Sequence, residues 1–210
     1  MISKTVQKFN KTLKVDGDKS ISIRWLLLAS QAIGVSKATN LLGSEDVFSA
    51  IECLKKLGVQ INFNNNNCII YGRGINGFKF KKDITLNAGN SGTVGRLILP
   101  LLIRSPYKIR IIGDKSLSKR DFSRIINPLK KFGARFESKT NRLPLKMTGL
   151  DDPKPIKYFE KKGSAQCKSA VMFAGLKAKG LTSIKAKKSR SHTEIMFKHL
   201  KIPIKRDRKY

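Results

Sequence analysis

Three stretches open on small or polar residues and then run into an apolar segment. They are GDKSISIRWLLLASQAIG from Gly17, GNSGTVGRLILPLLIRS from Gly89 and GSAQCKSAVMFAGLKAKG from Gly163. Each predicts a helix with a polar mouth. Three others, SEDVFSAIECLKKLGVQI, KRDFSRIINPLKKFGARF and RSHTEIMFKHLKIPI, carry an amphipathic helical pattern. In the second of these, Ile125, Ile126, Leu129 and Phe132 fall on one helical face. KKLG and KKFG put Lys in the last turn and Gly just beyond, a helix C-terminal signature. Short runs rich in β-branched residues predict strands: VQINF, CIIYG, ARFES and LPLKMTG after the amphipathic helices, and KATNLL, YKIRIIG and LTSIKA between the two helix types. The run NNNN between VQINF and CIIYG reads as a hairpin turn.

The pattern repeats. Arg24, Arg96 and Lys168, the basic residues inside the three apolar helices, stand 72 residues apart. Each unit reads strand, helix, strand, helix, strand, strand, with units at about 15–86, 87–158 and 159–210. The third stops after its second helix, and GLDDPKPIKYFE crosses from the second unit to the third. This predicts an α/β (α+β) domain of repeated βαβαββ units about a pseudo-threefold axis, with the third unit incomplete.

Composition narrows the function classes. In 210 residues the hydrophobic fraction is 40%, enough for a buried core. No apolar run approaches the ~20 residues of a membrane span. The N-terminal stretch has no apolar signal region, so a cytoplasmic location is expected. Cys53, Cys68 and Cys167 are widely spaced and read as reduced structural thiols. His192 and His199 have no cysteine cluster beside them and make no metal site. The net charge of +30 invites nucleic acid, yet the basic residues are spread along the chain without zinc-finger spacing or RNP-like aromatics. A dispersed solvated surface is the expectation, and nucleic acid is the lesser one.

The helix mouths carry the candidate chemistry. They are Asp18-Lys19-Ser20, Asn90-Ser91-Gly92-Thr93 and Ser164-Ala165-Gln166. Free N–H groups at a helix N-terminus attract phosphate and carboxylate, and Gly lets the backbone approach a ligand. Taken singly, Ser20, Thr93 and Ser164 read more readily as ordinary N-caps than as ligand sites. Three such mouths brought to one face by pseudo-symmetry suit a substrate with several negative groups.

GDKSISIR, NAGNSGTVGRL, GDKSLSKR, GSAQCKSA and SRSHTEIM occur in this order. Together they resemble the N-terminal half of the 3-phosphoshikimate 1-carboxyvinyltransferase (EPSP synthase) family, over about Lys14 to Ile202. The resemblance implies a two-domain inverse α/β barrel whose domains close on the substrates. It implies transfer of the enolpyruvyl group of phosphoenolpyruvate to the 5-hydroxyl of shikimate 3-phosphate, with no metal or organic cofactor and no membrane partner. It also implies a second domain, not contained in these residues, as structural partner; residues 1–14 would pack on it as a strand segment. That domain would bring a catalytic Asp and Glu, so the chain alone is expected to be inactive.

Carried over by position, Lys19 would touch both substrates and take part in proton transfer. Ser20, Arg24, Ser164, Ala165, Gln166 and Arg190 would hold shikimate 3-phosphate. Asn90, Gly92, Thr93 and Arg120 would form the phosphoenolpyruvate site, with Gln166 between the two ligands. Two positions depart from the family pattern: Ile23 stands where a His is usual, and Ser191 where an Asp is usual. Two alternatives remain at this stage. One is a sister transferase acting on a UDP-sugar, whose first motif has Asn where this chain has Ser20. The other is a basic, non-catalytic binding protein.

Overall fold

The computed structural model describes residue 10 and residues 12–205. Most of the strand segment expected at 1–14 lies outside the described residues; Asn10 and residues 12–14 have no regular structure. The first unit comprises α1 (Lys19–Ala29), β1 (Ile33–Ala38), α2 (Glu45–Lys56), β2 (Gln60–Asn64) and β3 (Asn67–Arg73). The second holds β4 (Thr85–Asn87), α3 (Gly92–Leu101), β5 (Lys108–Ile112), the single turn α4 (Lys115–Ser118), α5 (Ser123–Lys131), β6 (Arg135–Glu137) and β7 (Leu145–Thr148). The third holds β8 (Lys157–Glu160), α6 (Ala165–Gly175), β9 (Ser183–Ala186) and α7 (His192–His199).

The second unit shows the full pattern. Its sheet order is β4-β5-β7-β6, with β4 parallel to β5 and the other pairs antiparallel. The first unit repeats the last three positions as β1-β3-β2. Residues 13–15 run past the end of β1, where Asn40 Nδ2 donates to the Val15 carbonyl at 3.2 Å, but form no ladder. The third unit repeats the first two positions, with β8 parallel to β9. The β2–β3 turn has φ of 47° at Asn65 and 61° at Asn66, the left-handed pair a tight hairpin requires.

The helices α1, α3 and α6 lie inside, with the sheets outside them. α3 packs on both α1 and α6, and all three are buried on nearly every side. That is why their sequences are apolar without a polar stripe. Leu26, Leu27, Leu97, Ile98 and Phe173 are fully buried there; truncating such a residue to Ala costs ~2–5 kcal/mol. α2 and α5 cover the outside with one apolar face each, closed by the Lys pairs 55–56 and 130–131 in their last turns.

Two expected elements shift. The run KYFE, expected within the crossing stretch GLDDPKPIKYFE, forms β8, because Lys157–Glu160 pairs in parallel with Ser183–Ala186. The first inter-helix strand starts at Ile33 and shares only Lys37 and Ala38 with KATNLL. α1 ends at Ala29, and β1 forms the edge of its sheet with Ile33 94% exposed. An outer edge strand need not alternate apolar and polar residues, so its sequence carries little strand signal.

Candidate anion-binding site

Each inner helix begins at a side-chain cap. Asp18 accepts from the Ile21 N–H at 2.8 Å, Ser91 from Val94 N–H at 3.3 Å and Ser164 from Cys167 N–H at 3.3 Å. In each case one of the first-turn donors is satisfied and others are left for a ligand. Cross-links join corresponding turns of these helices. Gln166 Nε2 donates to Thr93 Oγ1 at 3.3 Å, so the first turns of α3 and α6 meet. Arg24 of α1 reaches Ser169 of α6 and Thr193 of α7. The three mouths therefore open toward the same end of the domain.

The α3 mouth is the most cationic. Arg96 donates to Gln166 Oε1 at 3.2 Å and to the Asp121 carbonyl at 3.2 Å, and its guanidinium lies 4.9 Å from the centroid of the Phe122 ring. A Cβ on Gly92 would stand 2.7 Å from Arg96 Nη1 and 3.2 Å from Arg120 Nη1. Gly92 thus lets two guanidinium groups close over the helix start. Arg96 is held below its usual pKa, first by burial and then by repulsion from Arg120, with Arg124 contributing too. Asn90 lies at the rim, its amide donating to Asp114, whose carboxyl is held low chiefly by the Leu117 N–H and then by Asn90. Arg96, Asp121, Arg124, Ser164, Gln166 and Cys167 line a cleft of about 210 Å³ between the α3 and α6 mouths.

Arg24 sits deeper, only 4% exposed. Its Nε donates to Thr193 Oγ1 at 2.9 Å, Nη1 to the Ser20 carbonyl at 2.9 Å and Nη2 to Ser169 Oγ at 3.3 Å. Three of its five N–H groups are spent on the protein, leaving two on the fork. Burial lowers its pKa; Asp18 and Glu194 oppose that, and Arg190 adds to it. Arg190 therefore lies near enough to Arg24 to repel it. Glu194 pairs with Lys168, the third of the 72-spaced basic residues, and among the described residues its buried Oε2 has no hydrogen-bond partner.

The structure brings Gly92, Thr93, Arg120, Ser164 and Gln166 together at the α3–α6 cleft, with Asn90 and Ala165 their neighbours in the chain, and ties Arg24 to Ser20, Ser169 and Thr193 with Arg190 near it. Lys19 is half-exposed at the α1 mouth, next to Ser20, and pairs at 3.3 Å with Asp46 of α2. Arg96, Arg124 and Asp121 also line the cleft, although the family motifs gave them no role. The repeat did single out Arg96, by aligning it with Arg24. Both donate through Nη1 to the carbonyl four residues earlier, Ser20 and Gly92. The cysteines are free and buried, with the Cys53 thiol pushed up to about 12 and the Cys68 thiol to about 11 by desolvation. Among the described residues no helix is long and apolar enough to cross a membrane.

Known proteins are similar to this chain in sequence and in fold. The family model of EPSP synthase (3-phosphoshikimate 1-carboxyvinyltransferase) matches residues 3–210. A 3-phosphoshikimate 1-carboxyvinyltransferase of Ruthia magnifica subsp. Calyptogena magnifica is 45% identical over 199 residues, covering 94% of this chain and 45% of the relative. One from Streptococcus pyogenes serotype M1 is 43% identical over 188 residues, covering 88% of this chain and 44% of its own. A solved EPSP synthase from Acinetobacter baumannii superposes with a TM-score of 0.87 at 34% identity, over 93% of this chain and 45% of that one. The chain spans about half the length of the curated relatives it matches. With a match over nearly its whole length, and with the inverse α/β fold of those relatives, the chain belongs to the EPSP synthase (3-phosphoshikimate 1-carboxyvinyltransferase) family.

Proposed function

We propose that this chain supplies one wall of an enolpyruvyl transferase site. Phosphoenolpyruvate lies at the α3 mouth, and shikimate 3-phosphate spans the α1 and α6 mouths. The observation that carries this reading is the Thr93–Gln166–Arg96 bridge, which joins two open helix mouths beneath a group of guanidinium side chains. Two adjoining anion sites fit two anionic substrates that must react with each other.

Asn90, Gly92 and Thr93 shape the turn that receives phosphoenolpyruvate, and Arg120 pairs with its phosphate. Ser20, Ser164 and Ala165 hold shikimate 3-phosphate, with the two remaining Arg24 N–H groups directed at its carboxylate and Arg190 alongside. Gln166 lies between the ligands. In the reaction the 5-hydroxyl gives up its proton to a base as its oxygen bonds C2 of phosphoenolpyruvate, while a proton adds at C3. Loss of a C3 proton and of phosphate then gives 5-enolpyruvylshikimate 3-phosphate. Lys19, leaving Asp46, takes part in the proton transfer, while Arg120 stabilises the departing phosphate. No metal or cofactor enters this scheme, the location is cytoplasmic, and a second domain of similar size is the structural partner. Residues 15–210 form the transferase domain.

Titration calorimetry tests the binding half of this reading. The wild-type chain binds shikimate 3-phosphate, Arg24→Ala weakens it at least tenfold, and Arg120→Ala weakens phosphoenolpyruvate instead. Identical heats for wild type and Arg24→Ala remove the site. For turnover, the chain alone gives no enolpyruvyl transfer. Adding a separately made C-terminal half of a related enzyme restores some, and Lys19→Ala abolishes it. Phosphate release by the chain alone, dependent on both substrates, would overturn this placement of the catalytic groups.

A further inference from the structure

Glu160 closes β8 and is only 3% exposed, yet among the described residues it forms no ion pair. A buried carboxylate is costly unless its oxygens are satisfied. Here backbone donors satisfy them. Oε1 accepts from the Lys162 N–H at 3.1 Å and Oε2 from the Ser164 N–H at 2.7 Å. The carboxylate thus spans the turn between β8 and α6, which contains Gly163 at φ +68° and Ser164 in the extended cap conformation. With this turn fixed, Ser164 Oγ accepts from Cys167 N–H and the Ser164 carbonyl from Lys168 N–H. Among the described residues the Ala165 and Gln166 N–H groups remain as the unspent donors of the mouth.

We propose that Glu160 is the positioning residue of the phosphoryl-binding mouth of α6. By taking the two turn amides for itself, it aims the Ala165 and Gln166 N–H groups together at one point outside the helix. The inference rests on the reading that this mouth receives the 3-phosphate of shikimate 3-phosphate. Glu160 touches no substrate; it acts through Ser164. A Gln in its place keeps the volume but sets an NH2 group against one of the two N–H donors, which releases that side of the turn.

The test follows shikimate 3-phosphate by titration calorimetry and inorganic phosphate by amide NMR shifts, in wild type, Glu160→Gln and Glu160→Asp. Wild-type Ala165 and Gln166 amides shift on adding phosphate. Glu160→Gln binds shikimate 3-phosphate about tenfold more weakly and loses those shifts, while the Phe173 amide stays in place and reports an intact core. Glu160→Asp, one methylene short, keeps part of both signals. Unchanged affinity in Glu160→Gln overturns the proposal, as does wild-type binding of shikimate 3-phosphate without movement of the Ala165 and Gln166 amides. If Glu160→Gln does not fold, Glu160→Asp decides: weaker binding with Phe173 in place supports the role, and wild-type affinity overturns it. No binding by the wild-type chain at all overturns the functional reading, and this inference with it.

Discussion

Lys177 follows α6 at the end of the domain opposite the mouths, 5% exposed. Its ammonium donates to Gln31 Oε1 beyond the end of α1 and lies 5.8 Å from the Phe78 ring centroid, with Arg104 repelling it. Helix C-termini favour a cation by a fraction of a kcal/mol up to ~2 kcal/mol, but desolvation is the larger effect and pushes the Lys177 pKa down from 10.5 to about 7. The unfolded chain then binds one more proton than the folded chain between about pH 7 and the ordinary lysine value. The stability lost to burying this amine is therefore fully lost below pH 7 and recovered as pH rises toward 10. Lys177→Met should melt several degrees above wild type at pH 6, and the gap should close by pH 10. Thermal melts at both values check it; a gap independent of pH would mean that the amine is not titrating in the core.

At the scale of elements, Arg24 is the tie between α1, α6 and α7. Removing it leaves Ser169 and Thr193, both buried, without their cationic donor, at a cost of ~3 kcal/mol. Arg24→Lys should recover little of this, because a single ammonium cannot meet Ser20, Ser169 and Thr193 at the angles the planar fork reaches. Denaturant unfolding of Arg24→Met and Arg24→Lys would show near-equal losses. Nothing local in the sequence announced this tie, since Arg24 and Thr193 are 169 positions apart. What was legible was periodic: polar mouth, apolar run, Lys-Gly closure and the Asn turn each follow from near-neighbour chemistry. β1 was misplaced because its exposed edge carries no alternation. Glu160 was unreadable for a related reason: a lone acid at a strand end looks solvated until the fold shows its oxygens facing two amides.

Across the whole molecule, two features oppose each other. β9 pairs only with β8 among the described residues, and nearby Leu181 is 86% exposed, with Ile195 and Leu200 also open to solvent. Unpaired edges and exposed apolar side chains promote association. The net charge of +30 opposes it, because two such chains repel at long range. Salt shortens that repulsion to ~10 Å at 0.1 M and ~3 Å at 1 M. Light scattering should therefore find monomers at low ionic strength and growing assemblies as salt is raised. Assembly that dissolves on adding salt would instead mark an ionic interface.

The matching back-bonds of Arg24 and Arg96, at the same register in consecutive units, have a bearing on ancestry. A duplicated gene segment would leave this kind of duplicated bond, and the mouth would then predate the duplication. A unit of this kind has an inner helix that only other units can cover, since α3 is buried by α1 and α6. A single such unit would therefore leave the apolar surface of its inner helix uncovered. A synthetic peptide of residues 84–150, the complete second unit, should accordingly self-associate in sedimentation and lose its helicity on dilution.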